Sequence, residues 1–200
     1  SSDLLDDADA RYSFIDNIGP VFYFMTDLNA PNGRIIAIDV RNPERKVEII
    51  PQQRDAISFA ITVNNRFLVA YIHDAHNQLE LYDLDSNFLE DIELPGIGSI
   101  AGLSGSREDD EMFLSFTSFL HPATIFRYDF KGGELKEFRG PEIDFDPSGY
   151  ETEQVFYSSK DGTKVPMFIT HKKGIELNSE NPTLLYGYGG FGSGFMPSFS

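Results

Sequence analysis

The sequence holds no cysteine. Disulfides, thiolate metal sites and a cysteine nucleophile are therefore excluded. Tryptophan is absent too, although phenylalanine (18) and tyrosine (9) are plentiful. Basic residues are scarce, 16 Lys and Arg against 32 Asp and Glu, which leaves a net charge of −16. A nucleic-acid partner is not expected, because phosphate neutralisation needs clustered lysine and arginine. No run approaches the roughly 20 apolar residues of a membrane-crossing helix, so no membrane partner is expected either. The opening Ser1-Ser2-Asp3-Leu4-Leu5-Asp6-Asp7 lacks the basic and apolar regions of a signal peptide, and the first residue is not methionine.

What is present fits a globular protein: 40% of the residues are hydrophobic and 14% aromatic. The acidity is uneven. Residues 1–145 carry 12 basic and 26 acidic groups, and residues 146–200 carry 4 and 6. The excess acid reads as a solvated surface.

Residues 11–140 repeat themselves. Val21-Phe22-Tyr23-Phe24-Met25-Thr26-Asp27 is echoed by Phe67-Leu68-Val69-Ala70-Tyr71-Ile72-His73, and again by Met112-Phe113-Leu114-Ser115-Phe116-Thr117-Ser118, at offsets of 46 and 45 residues. A second marker follows each one: Ile38-Asp39, Tyr82-Asp83 and Tyr128-Asp129. A short third strand comes next, at Val47–Ile50, Leu89–Leu94 and Leu135–Phe138. Leading strands are expected at Ala56–Val63, before an Asn64-Asn65 turn, and at Gly98–Leu103. Four short strands in about 45 residues, joined by turn formers, describe a β-propeller blade. The repeated Asp39, Asp83 and Asp129 are read as turn closers whose carboxylates accept nearby backbone N–H groups. Three blades cannot close a ring, so either further blades lie upstream, the favoured reading, or the array is open.

The pattern changes after Gly140. Pro141 to Gly149 reads as a linker. Gln154–Tyr157 and Lys164–Thr170 read as a hairpin around Lys160-Asp161-Gly162-Thr163, with Asp-Gly in a type I′ turn. Pro166 marks an open or bulged edge. Pro182-Thr183-Leu184-Leu185-Tyr186 reads as a short buried strand that runs into Gly187-Tyr188-Gly189-Gly190-Phe191-Gly192. This loop is the candidate active-site element. Its glycines let the backbone approach a ligand, and its aromatic residues bring phenolic donors and apolar area. A dinucleotide site would need the loop to open a helix, but Ser193-Gly194-Phe195-Met196-Pro197 is a poor helix start.

Other candidates are weaker. Gly102-Leu103-Ser104-Gly105-Ser106 resembles a nucleophile elbow but lies among blade strands. His73 and His76 flank Asp74 with no third metal ligand in sight. Asp83-Leu84-Asp85 begins like a calcium loop, but Phe88 stands where glycine is needed. His121 and His171 have no triad partner that spacing reveals. No metal site and no cofactor are expected.

At Tyr157-Ser158-Ser159-Lys160-Asp161-Gly162-Thr163-Lys164-Val165-Pro166-Met167-Phe168 and Leu185-Tyr186-Gly187-Tyr188-Gly189-Gly190-Phe191, the sequence closely resembles the prolyl oligopeptidase family. The likeness continues more loosely back through Ser115-Phe116-Thr117-Ser118-Phe119 and Tyr71-Ile72-His73-Asp74, and so covers essentially the whole chain. The resemblance implies β-propeller blades, part of a seven-bladed propeller, joined to the start of an α/β-hydrolase domain. Residues 1–142 would be the last three or so blades, and 143–200 the first strands of the hydrolase. It implies a serine endopeptidase that cleaves short peptides after proline through an acyl-enzyme, with the propeller limiting substrate size. Tyr188 would stabilise the oxyanion and Phe191 would line the proline pocket. All three members of the Ser/Asp/His triad lie beyond Ser200 in the family pattern, so this segment alone is expected to be inactive. Short proline-containing peptides are the expected partners, and the resemblance suggests a cytoplasmic monomer. Gly189-Gly190-Phe191 separates the proline branch from siblings that prefer Arg or Lys. Gly192-Ser193-Gly194-Phe195 departs from the family pattern. A sibling oligopeptidase, a peptide macrocyclase and a non-catalytic peptide-binding propeller remain as alternatives.

Overall fold

The computed structural model describes residues 4–5, 8–190 and 194–200. Three four-stranded antiparallel sheets follow one another along the chain. The first holds β1 (Tyr12–Ile18), β2 (Val21–Thr26), β3 (Arg34–Asp39) and β4 (Lys46–Ile50). The second holds β5 (Ala56–Val63), β6 (Arg66–His73), β7 (His76–Asp83) and β8 (Phe88–Asp91). The third holds β9 (Ser99–Ser104), β10 (Glu111–Thr117), β11 (Thr124–Asp129) and β12 (Glu134–Arg139). In each sheet the spatial order of the strands is the chain order. These are the three expected blades.

Both faces of β6, in the middle blade, are buried, and the side-chain alternation of a strand explains how. On β6, Phe67, Val69 and Tyr71 pack with Tyr23, Ile35, Ala37 and Ile50 of the first blade. Leu68 and Ala70, on the opposite face, pack with Ile100, Met112, Leu114 and Phe116 of the third. Burying each large apolar side chain is worth roughly 1.5–3 kcal/mol, so stacking is the main stabilising force. A strand covered on both sides has no polar face, which is why β6 reads as an unbroken apolar run.

Turn chemistry sets the registers. Asn64 and Asn65 both have φ of 52° and make a type I′ turn between Val63 and Arg66. The repeated aspartates close turns as expected. Asp39 Oδ1 accepts the N–H of Arg41 at 2.9 Å, Asp129 Oδ1 that of Lys131 at 2.9 Å, and Asp83 Oδ1 that of Asn87 at 2.8 Å. These bonds favour the carboxylate. Contacts with the Arg41 side chain and backbone pull Asp39 down to about 2, and bonds to Asn87 and Lys131 lower Asp83 and Asp129. A depressed folded-state pKa stabilises the fold above the unfolded value and loses that contribution as pH falls through the folded one. Replacing all three by asparagine keeps the acceptor oxygen and removes the titration. Between about pH 4 and pH 2 the variant's melting temperature is expected to fall less steeply than that of the wild type. Parallel melting curves would refute this.

Two further polar ties join blades. Asn77, buried on β7, donates its backbone N–H to Gly98 O at 2.9 Å and its amide to Tyr71 O at 3.0 Å, and it accepts Ile100 N–H at 2.8 Å. Arg107, in the β9–β10 loop, reaches the first blade. Its Nη1 donates to Asn17 O at 2.6 Å and stands 3.6 Å from Asp16, which also accepts the Thr62 hydroxyl at 2.5 Å.

After the blades, a 3₁₀ turn at Pro147–Gly149 leads into the hairpin β13 (Tyr150–Ser158) and β14 (Lys164–Lys172). Both strands are longer than expected. Pro166 pairs with Phe156, and the far edge of β14 has no partner strand among the described residues. The turn is not type I′. Gly162 has φ of +86° but Asp161 does not enter the left-handed region. Gly162 N–H reaches Ser159 O at 3.0 Å and Ser159 N–H reaches Thr163 O at 2.9 Å, the pattern of a type I turn with a glycine bulge. The Asp161 carboxylate, held by the Ser159 hydroxyl and the Thr163 N–H, favours this form.

The expected strand at Thr183–Tyr186 is absent. Leu184 is 90% exposed and Leu185 83%. An apolar strand of this kind needs neighbours on both sides to satisfy its backbone and cover its side chains. None lies beside it among the described residues. The described residues contain no α-helix, so the architecture seen is all-β.

Candidate active-site loop

Residues 183–190 run as irregular chain, and Tyr188 is 56% exposed. The phenol folds back over Gly190. A Cβ placed on Gly190 would lie 2.9 Å from the Tyr188 oxygen and 3.0 Å from Cζ, so the phenol rests where a side chain at position 190 would displace it. Nothing lies within 4 Å of a Cβ built on Gly187 or Gly189. The loop is closed by an edge-to-face pair, with the Tyr186 and Phe195 ring centroids 4.7 Å apart. Phe191 falls outside the described residues.

Beyond the loop the chain is seated again. Pro197 is buried, and its carbonyl accepts the Ser99 hydroxyl at 2.7 Å. Phe199 N–H donates to Thr117 Oγ1 at 3.1 Å, and its ring lies 5.6 Å from that of Phe145. The β13–β14 hairpin meets the same end of the blades. Gln154 donates to Asp74 O, and the Phe119 and Phe168 rings are 5.5 Å apart. Sequence reasoning missed Ser99 and Thr117. They lie 98 and 82 residues from their partners, and no local pattern signals such a contact.

The other candidates fall apart chemically. His73 Nδ1 sits 2.7 Å from Asp55 and its Nε2 3.4 Å from Asp74, while burial lowers the pKa of His76. Among the described residues no group of three or more such side chains is placed to hold a metal. Ser104 is the last residue of β9 and does not precede a helix. Asp83 spends both carboxylate oxygens on Asn87. Among the described residues neither His121 nor His171 has its ring hydrogen-bonded to a serine, and His171 Nδ1 faces Lys172 O at 2.9 Å.

The blades and the loop thus share one chain. The family model for the N-terminal β-propeller domain of prolyl oligopeptidase matches residues 2–140, the stretch that holds the three blades. The chain belongs to the prolyl oligopeptidase family. It is 36% identical over 194 residues to a prolyl endopeptidase of Elizabethkingia meningoseptica, covering 96% of this chain and 27% of that protein. It is 39% identical over 212 residues to a prolyl endopeptidase of Dictyostelium discoideum, covering 98% of this chain and 28% of that one. The structure of prolyl oligopeptidase B from Galerina marginata, bound to a 25mer macrocyclization substrate, superposes with a TM-score of 0.88 at 30% identity, over 98% of this chain and 28% of that one. The chain therefore spans a little over a quarter of the length of these prolyl oligopeptidases.

Proposed function

We propose that the protein containing this chain is a serine endopeptidase that cleaves short peptides on the carboxyl side of proline. The observation that carries the reading is identity of 36% to 39% with two prolyl endopeptidases over nearly the whole chain. In this reading residues 1–142 are the last blades of a seven-bladed propeller that restricts substrates to short peptides. Residues 143–200 open the α/β-hydrolase domain, and the triad comes from chain beyond Ser200. Tyr188 gives its hydroxyl proton as a hydrogen bond to the oxyanion of the tetrahedral intermediate. Phe191 presents an apolar wall to the substrate pyrrolidine ring. The protein acts as a cytoplasmic monomer.

The loop is suited to this task. Its glycines leave the phenol free of flanking side chains, and a half-exposed hydroxyl can meet a substrate without first breaking a buried bond. The test is hydrolysis by the complete protein of two reporter peptides, one with proline and one with arginine before the scissile bond. Cleavage after proline alone is expected. Cleavage after arginine would move the protein to the sibling branch. No cleavage by folded protein would favour a binding propeller, and cyclic products from a longer proline-containing peptide would identify a macrocyclase.

A further inference from the structure

The glycine-rich loop has little of its own to fix it. Its first residues are exposed and unpaired, and open space surrounds Gly187 and Gly189. Among the described residues, the only side-chain hydrogen bonds tying residues 184–200 to the rest of the chain are those of Ser99 and Thr117. Those two residues are direct cross-strand partners, Ser99 at the start of β9 and Thr117 at the end of β10. Together they form a two-hydroxyl clamp at one edge of the third blade. The Thr117 hydroxyl proton is committed to His121 O at 3.1 Å, so the oxygen keeps its lone pairs for Phe199 N–H. The loop that carries His121 is itself braced, because Ser118 Oγ accepts the N–H of His121 at 3.1 Å. Ser99 in turn donates to Pro197 O.

The clamp is connected to Tyr188 by a short path. Pro197 is two residues from Phe195, whose ring packs on Tyr186, and Tyr186 is two residues from Tyr188. That path does not pass through residues 191–193.

We propose that Ser99 and Thr117 are positioning residues of the active-site loop: propeller hydroxyls that hold residues 197–199 and thereby aim the Tyr188 hydroxyl. The proposal rests on the oxyanion reading of Tyr188. A donor must lie within a few tenths of an ångström of its productive place, and small displacements cost large factors in rate. The clamp acts on the transition state and not on ground-state binding, so its loss should appear in kcat.

The experiment is a double-mutant cycle in the complete protein with a proline reporter peptide. Ser99→Ala combined with Thr117→Val is expected to lower kcat about tenfold and to change KM less than about twofold. Ser99→Thr with Thr117→Ser keeps both hydroxyls and is expected to rescue kcat. In a Tyr188→Phe background the clamp substitutions are expected to change kcat less than about twofold, because the donor they aim is gone. An equal loss in both backgrounds would overturn the proposal, since the hydroxyls would then act independently of Tyr188. So would an unchanged kcat in the clamp variant while Tyr188→Phe alone is strongly impaired. If Tyr188→Phe alone costs less than threefold, the oxyanion reading fails and the proposal fails with it. Should the double substitution unfold the protein, Ser99→Ala alone, at a half-buried position, is put through the same cycle. The same outcomes decide.

Discussion

Gly98→Ala in the complete protein is expected to cost about 3 kcal/mol of stability, the upper end for overpacking, read as a shift of the first urea transition. A Cβ at this position would lie 2.2 Å from Cζ of Phe116 and 2.4 Å from the carbonyl oxygen of Thr117. The first neighbour is a fully packed core ring and the second is backbone, so neither can yield cheaply. Gly98 O also receives Asn77 N–H, and Asn77 holds Ile100 and Tyr71. Pushing Gly98 aside pulls on all of these bonds, and a buried polar group left unpaired costs about 1–3 kcal/mol. Gly102→Ala is the control, because nothing lies within 4 Å of a Cβ built there. It should change stability by less than about 0.5 kcal/mol. Equal effects at the two positions would refute the steric account.

Tyr188→Phe is expected to lower kcat for a proline reporter by about 10²-fold while leaving the melting temperature unchanged. The substitution removes one oxygen and keeps the ring that folds over Gly190. The side chain is half-exposed, and no hydrogen bond to its hydroxyl forms within the described chain, so the fold loses nothing. The effect therefore belongs to the transition state, where a preorganised O–H is worth roughly 3–4 kcal/mol. A loss below threefold would remove Tyr188 from the oxyanion role.

Much of the fold was legible in the sequence because its physics is local. The 45-residue recurrence of Val21, Phe67 and Met112 marks the start of one strongly apolar strand in each blade, and it is plainest in β6, where burial on both faces leaves Phe67 to Ile72 apolar throughout. Asp39, Asp83 and Asp129 announce turns because a short carboxylate reaches only nearby N–H groups. The Asp161-Gly162 turn type was misjudged because the dipeptide fits two geometries and a side-chain contact chose between them. The apolar Thr183–Tyr186 run carries strand propensity, but a strand exists only with a partner, and propensity does not supply one. The site divides in the same way. Tyr188 stands out because its glycines are contiguous in the chain, whereas Ser99 and Thr117 are ordinary strand residues whose role depends on contacts nearly half the chain away.

Arg107 changes how the blades share stress. In a row of stacked repeats each unit ordinarily feels only the units on either side, and the energy adds link by link along the row. The Arg107 guanidinium skips a link, running from the third sheet to the Asn17 carbonyl of the first. It is a chord drawn across an arc. When the first sheet frays, the third loses a hydrogen-bond partner at once, without waiting for the second to loosen. The array is thereby coupled beyond nearest neighbours and gives up its members together more than one at a time.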